Sequence, residues 1–256
     1  MPLLSQYDLS GKTAILSSTG GDESPLLASV LAEAGATVFA VTRRQEQLDA
    51  ILSALEGNGS SGGKHGGVAV PLVSDDAVSR AMAEFDRLDR PVDILVNDNR
   101  SLLAKPTGEI TLSEWDELQS RNVRTAFLLS QAVGLRMIER ESGRIVNLIS
   151  GLAERGMMGG SAFSVSQAGL LALTRSLAVE WGRHNIRVNA IGVGWSISED
   201  VPLEIQREEQ LVRYTPLRRK GHPRDIGPLL VYLCSDACDY TTGQPIYIDG
   251  GLNAHP

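Results

Sequence analysis

Six short and largely apolar runs, separated by longer amphipathic stretches, constrain this chain more than any other feature. They fall at 13–17, 37–42, 68–73, 92–97, 144–149 and 187–191, and 245–248 adds a short seventh. Their residues are apolar at consecutive positions rather than alternate ones, as expected of strands covered on both faces. Helical periodicity occupies the intervals near 25–35, 44–56, 75–88, 113–140, 161–183 and 223–236. Strand and helix in strict alternation predict βαβ units, and hence a doubly wound α/β domain around a parallel sheet of about seven strands. At 256 residues, the chain is long enough for one large core, and a single domain over 1–256 is expected.

Composition narrows the function. With 31 acidic and 24 basic residues the net charge is −7, which argues against a nucleic-acid or anionic-membrane surface. Arg218, Arg219 and Lys220 read as a solvated cluster. The apolar runs are read as too short to span a bilayer, and the amino terminus lacks the basic start and apolar stretch of a secretory leader, so a cytoplasmic protein is expected. Cys234 and Cys238 have no other cysteine and no nearby histidine pair, which predicts two reduced thiols and no metal site.

Two segments break the rhythm. The glycine-rich stretch 57–67 predicts a flexible connection. The charged, aromatic stretch 195–221 follows a strand end, and ligands of open α/β sheets bind outside the carboxyl ends of strands, so it is a candidate substrate lid.

Particular residues then carry a resemblance. The opening Leu9-Ser10-Gly11-Lys12-Thr13-Ala14-Ile15-Leu16, the strand Asp93-Ile94-Leu95-Val96-Asn97, the stretch around Asn122, Arg144 to Ser150, Ile186 to Ile191, Thr242-Gly243-Gln244 and Asp249-Gly250-Gly251 together resemble the short-chain dehydrogenase/reductase family over essentially the whole chain. The resemblance implies a Rossmann-like fold and a homodimer or homotetramer formed through the helices near 113–140 and 161–183. It also implies a small-molecule substrate. By the same resemblance, Ser150 matches the family's substrate-binding serine and Asn122 its relay asparagine.

The family's tyrosine and lysine are replaced by Phe163 and Gln167, and a phenyl ring has no proton to give. Three glycines of its dinucleotide turn are replaced by Ser18, Asp22 and Ser24, although Ser24 followed by Pro25 makes a good start to a helix. Leu72 stands where an adenine-binding aspartate is usual, and Asp98-Asn99-Arg100 replaces Asn-Ala-Gly. Arg43, placed to meet a 2′-phosphate, is the one feature favouring a cofactor. Local stretches such as Ser198-Glu199-Asp200 also resemble halohydrin dehalogenases, but the tyrosine and arginine of that group are absent. These losses predict no cofactor, with NAD(P) unlikely to bind, and little prospect of ordinary dehydrogenase activity. The expected function is a non-redox enzyme of the lyase, isomerase or cyclase type, with Ser150 orienting the substrate. Glu154 and Asp98 are candidates for acid/base work, and Phe163, Gln167, Met157, Trp195 and Tyr214 are expected to line the pocket. A non-catalytic subunit or binding protein, paired with an active relative, is one alternative. An atypical NAD(P)-dependent oxidoreductase is the other.

Overall fold

Seven strands pair in parallel in the order β3-β2-β1-β4-β5-β6-β7. They are β1 (Thr13–Ser18), β2 (Thr37–Thr42), β3 (Gly66–Ala69), β4 (Ile94–Asp98), β5 (Gly143–Ser150), β6 (Ile186–Val193) and β7 (Pro245–Ile248). The computed structural model describes residues 3–19, 23–56, 64–196 and 201–254. Every residue of β1, β2 and β4 is buried, as their unbroken apolar runs require.

Helices cover both faces. Leu16, Val38 and Val96 point to the face where α1 (Ser24–Glu33), α2 (Gln45–Glu56) and α9 (Pro223–Cys234) contribute Leu27, Ile51 and Leu230. Ile15, Phe39 and Leu95, one residue out of phase, point to the opposite face. There they meet Phe85 of α3 (Asp75–Asp86), Val133 of α5 (Thr125–Glu139) and Trp181 of α6 (Ser161–Trp181). The Phe39 and Phe85 rings cross edge to face at 5.4 Å, a geometry that adds about 0.5–1.5 kcal/mol to their burial. Close packing on this face also depends on Gly134, where a Cβ would lie 2.4 Å from the Trp181 ring.

Three details depart from the sequence expectations. The third strand ends at Ala69 rather than 73, because Pro71 follows with no N–H to continue a ladder. The long helix near 113–140 is two helices, α4 (Leu112–Gln119) and α5, joined by a π turn over Ser120–Arg124. α6 is the one described helix long and apolar enough to cross a bilayer by length and composition, although half of that window is buried inside the protein. Of the expected flexible connection, 57–63 lies outside the described residues, while Gly66 and Gly67 belong to β3. The thiols of Cys234 and Cys238 are free and buried, and desolvation raises the pKa of both.

Candidate active site

Strand order reverses between β1 and β4, and the carboxyl ends of such neighbours open the crevice where α/β sheets bind ligands. Two arrangements occupy this edge of the sheet. The first is a charged network over β1 and β4. Arg100, two residues past β4, donates from Nε to Asp98 Oδ1 at 2.9 Å and from Nη2 to Glu23, which directly precedes α1. Ser196, beyond β6, donates to the other oxygen of Glu23. Ser24 donates to Asp98 Oδ2 at 2.9 Å, and its oxygen lies 2.6 Å from that of Ser18.

The side chains of Arg100, Glu23 and Asp98 are 15%, 13% and 3% exposed. Desolvation pushes the Glu23 pKa up, but the Arg100 charge and the hydrogen bonds from Ser196 and Arg100 outweigh it and hold the carboxyl below its ordinary value. The expected capping role of Ser24 is not what forms. Glu23 is the residue at the N-cap, and the Ser24 hydroxyl is committed to Asp98. Asn99, wholly buried beside this network, has neither amide atom partnered among the described residues. Asp22 lies outside the described residues.

The second arrangement is an open cavity of about 310 Å³ past β5 and β6, lined by Ser150, Phe163 and Trp195 among others. Met157 and Tyr214 join its wall, together with Leu102, Leu211 and Leu252. Ser150 ends β5, where its oxygen accepts from the Leu152 N–H at 3.2 Å. Among the described residues no acceptor takes the Ser150 proton, which leaves it for an oxygen in the cavity.

Gln167 does not line the cavity. It is fully buried behind Ser150, accepting from the Ser150 backbone N–H at 2.9 Å and donating to Ser166. Asn122 is one step further back, in the π turn. It binds both backbone groups of Ser101 and donates to Ser166 Oγ, each at 2.9 Å. Glu154 turns away from the cavity and lies 3.6 Å from Arg175 at the surface, while the adjacent Arg155 faces inward. Asp98 is held in the ion network rather than in the cavity.

The two arrangements would offer a dinucleotide different surroundings. At the adenosine end, a narrow cleft runs between Ser18, Thr42, Leu72 and Thr125, with Arg43 at its rim. Among the described residues Arg43 is held only by a 3.7 Å contact to Glu117, so the rim fits a phosphate. Leu72 offers no polar side chain, and its carbonyl accepts from Thr125. A pyrophosphate placed at the start of α1 would meet the Glu23 carboxylate there, which is paired with Arg100 and disfavours a second anion. The Glu23–Arg100 contact escaped sequence reasoning. Its signal was an arginine where the pattern has a glycine, since a charge brought into a buried turn demands a counter-charge.

Comparison with known proteins corrects the functional expectation. Gluconate 5-dehydrogenase of Gluconobacter oxydans is 31% identical over 249 residues, covering 96% of each chain. The solved structure of a putative short-chain alcohol dehydrogenase from Sinorhizobium meliloti superposes with a TM-score of 0.87 at 35% identity, over 98% of this chain and 100% of that one. A gluconate 5-dehydrogenase from Burkholderia cenocepacia, solved in complex with NADP and tartrate, has a TM-score of 0.86 at 25% identity over 99% of both. Full-length likeness to named dehydrogenases, one of them holding NADP, overturns the non-redox lyase, isomerase or cyclase. It likewise overturns the expectations of no cofactor and of no ordinary dehydrogenase activity. Those expectations gave the substituted motif positions more weight than the framework of strand ends around them. A family model described as enoyl-(acyl carrier protein) reductase matches residues 26–253, and the chain belongs to the short-chain dehydrogenase/reductase family.

Proposed function

We propose that this chain is an atypical NAD(P)-linked oxidoreductase acting on a small hydroxyl- or carbonyl-bearing molecule. It is a divergent family member that works without the tyrosine–lysine pair and with an altered glycine pattern. The observation that carries this reading is the uncommitted Ser150 proton at the wall of the open cavity, next to the switch point of a dehydrogenase-like chain. NAD(P), when bound, supplies or accepts the hydride. The Ser150 hydroxyl donates to the substrate oxygen and polarises its carbon. Asn122 holds the loop at Ser101 and the start of α6 through Ser166. Gln167 fixes the end of β5 rather than a ribose. Phe163 gives the cavity an apolar wall and no proton, so the proton exchanged with the substrate passes by way of solvent. Arg43 supports a preference for a 2′-phosphate, hence NADPH.

The stretch 195–221 acts as the lid in this reading. It includes α7 (Leu203–Glu208) and α8 (Gln210–Tyr214), and Trp195, Leu211 and Tyr214 from it reach the cavity wall. A homodimer or homotetramer through α5 and α6 is supported by exposed Phe127, Leu135, Val165 and Val179 on those helices.

Calorimetric titration of the full chain with NADPH and NADH tests the proposal. Binding of NADPH is expected, and absence of binding by either dinucleotide sinks the reading. Phe163→Tyr returns a proton donor to the cavity and should raise NADPH-dependent turnover by at least about tenfold, part of the ~10²–10⁴ that a positioned acid contributes.

A further inference from the structure

The cavity beside Ser150 carries an unusual balance of charge. Among its described lining residues there is no aspartate or glutamate, yet two arginines are present, Arg100 and Arg155. Arg100 is neutralised by Asp98 and Glu23. Arg155 is not: it donates from Nη1 to the Leu252 carbonyl, and among the described residues no carboxylate approaches within ion-pair distance. A half-buried guanidinium against an apolar wall lacks a counter-charge, and a ligand carboxylate matches its fork of donors.

The remaining wall fixes what the carboxylate is attached to. Leu102, Leu152, Met157, Phe163, Trp195 and Leu252 offer apolar surface. Among the described lining residues, Ser150, Tyr214, Asn253 and the single indole N–H of Trp195 are the polar side-chain groups besides the arginines. A polyhydroxylated body would leave most of its hydroxyls unpaired here, whereas an aryl or branched alkyl body is matched. We propose that the cavity binds a 2-oxo or 2-hydroxy acid with an apolar side chain, its carboxylate on Arg155 and its reacting oxygen toward Ser150. The identity of the reacting carbon rests on the oxidoreductase reading above, whereas the binding of the anion does not require a dinucleotide.

Calorimetry on the full chain without dinucleotide separates the two. Phenylpyruvate is titrated beside its neutral methyl ester and beside gluconate. The acid is expected to bind at least about tenfold more tightly than either, the size of one charge-assisted contact. Arg155→Gln should erase the preference for acid over ester while leaving ester affinity unchanged within about twofold, and Arg155→Lys should retain part of it. The wild-type comparison needs no variant, so misfolding of a mutant cannot rescue or defeat the idea. Equal affinity for acid and ester, tighter binding of gluconate, unaltered binding by Arg155→Gln, or no phenylpyruvate binding up to about 10 mM would each overturn the proposal. Acid binding without any NADPH-dependent turnover would instead count against the oxidoreductase reading alone.

Discussion

The two ends of the strand-end crevice solve opposite problems. Over β1 and β4, charged groups satisfy one another: Arg100 bridges Asp98 and Glu23, and Ser196, Ser24 and Ser18 complete the set. Past β5 and β6, groups are left for something else: the Ser150 proton and the Arg155 charge face an apolar cavity. A self-satisfied network is rigid and resists ligands until a partner is displaced. An unsatisfied cavity is primed for one. The contrast suggests that substrate and dinucleotide meet different resistance on entry.

The sharpest way to break the contrast is Arg100→Ala. It leaves two buried carboxylates facing each other with no cation, and a loss of about 3–5 kcal/mol is expected in urea denaturation. A change below ~1 kcal/mol would mean that the network behaves like a surface ion pair.

Glu23→Gln acts more gently, because Asp98 still holds Arg100. Stability should fall by about 1–3 kcal/mol, while NADPH affinity rises about tenfold as the repelling carboxylate is removed. This variant also isolates a pH effect. The Glu23 carboxyl lies below its ordinary 4.5 in the folded state, so its contribution is present above that pH and is lost as pH falls through the lower folded value. The stability gap between wild type and Glu23→Gln should therefore shrink on acidification below about pH 4.5. A gap that widened there would reverse the assigned sign.

Asn99→Ala gives the smallest effect. Removing a buried amide with no partner should stabilise the chain by about 1 kcal/mol. The same change should weaken NADPH binding if that amide serves the ligand, which calorimetry can read. A destabilised variant would show that Asn99 is already paired.

Much of the fold is legible in the sequence, because strands buried on both faces leave continuous apolar runs and their flanking helices keep a 3.6-residue period. β1 and β2 match the expected positions almost residue for residue, whereas β3 moved because Pro71 stops the ladder. Ser150 and Phe163 came by resemblance, and the end of β5 and the start of α6 bring both to the cavity wall. Asn122 came by resemblance, but the π turn that seats it left no periodic signal. The pairing of Glu23 with Arg100 joins positions 77 apart in sequence, and only the adjacency of β1 and β4 brings them together. Glu154 and Arg155 show another limit: in a loop, neighbouring side chains have no period that says which one faces inward. The functional expectation fails for a related reason. Altered positions at four sites (the acid/base pair, the phosphate turn, the adenine position and the segment after β4) stand against a framework that matches dehydrogenases from end to end.

The π turn at Ser120–Arg124 has a consequence for how this fold tolerates change. An i→i+5 turn holds one residue more than an α turn, and one residue corresponds to about 100° of helical rotation. Without it, a straight helix could not keep Leu118 against Phe163, Asn122 inward toward Ser166, and Leu129 and Val133 in the core below the sheet. The turn works as a phase correction between two apolar stripes. Substitutions on either helix can then accumulate independently, while a one-residue deletion within 120–124 would force the polar seat and the core face to compete for the same rotation.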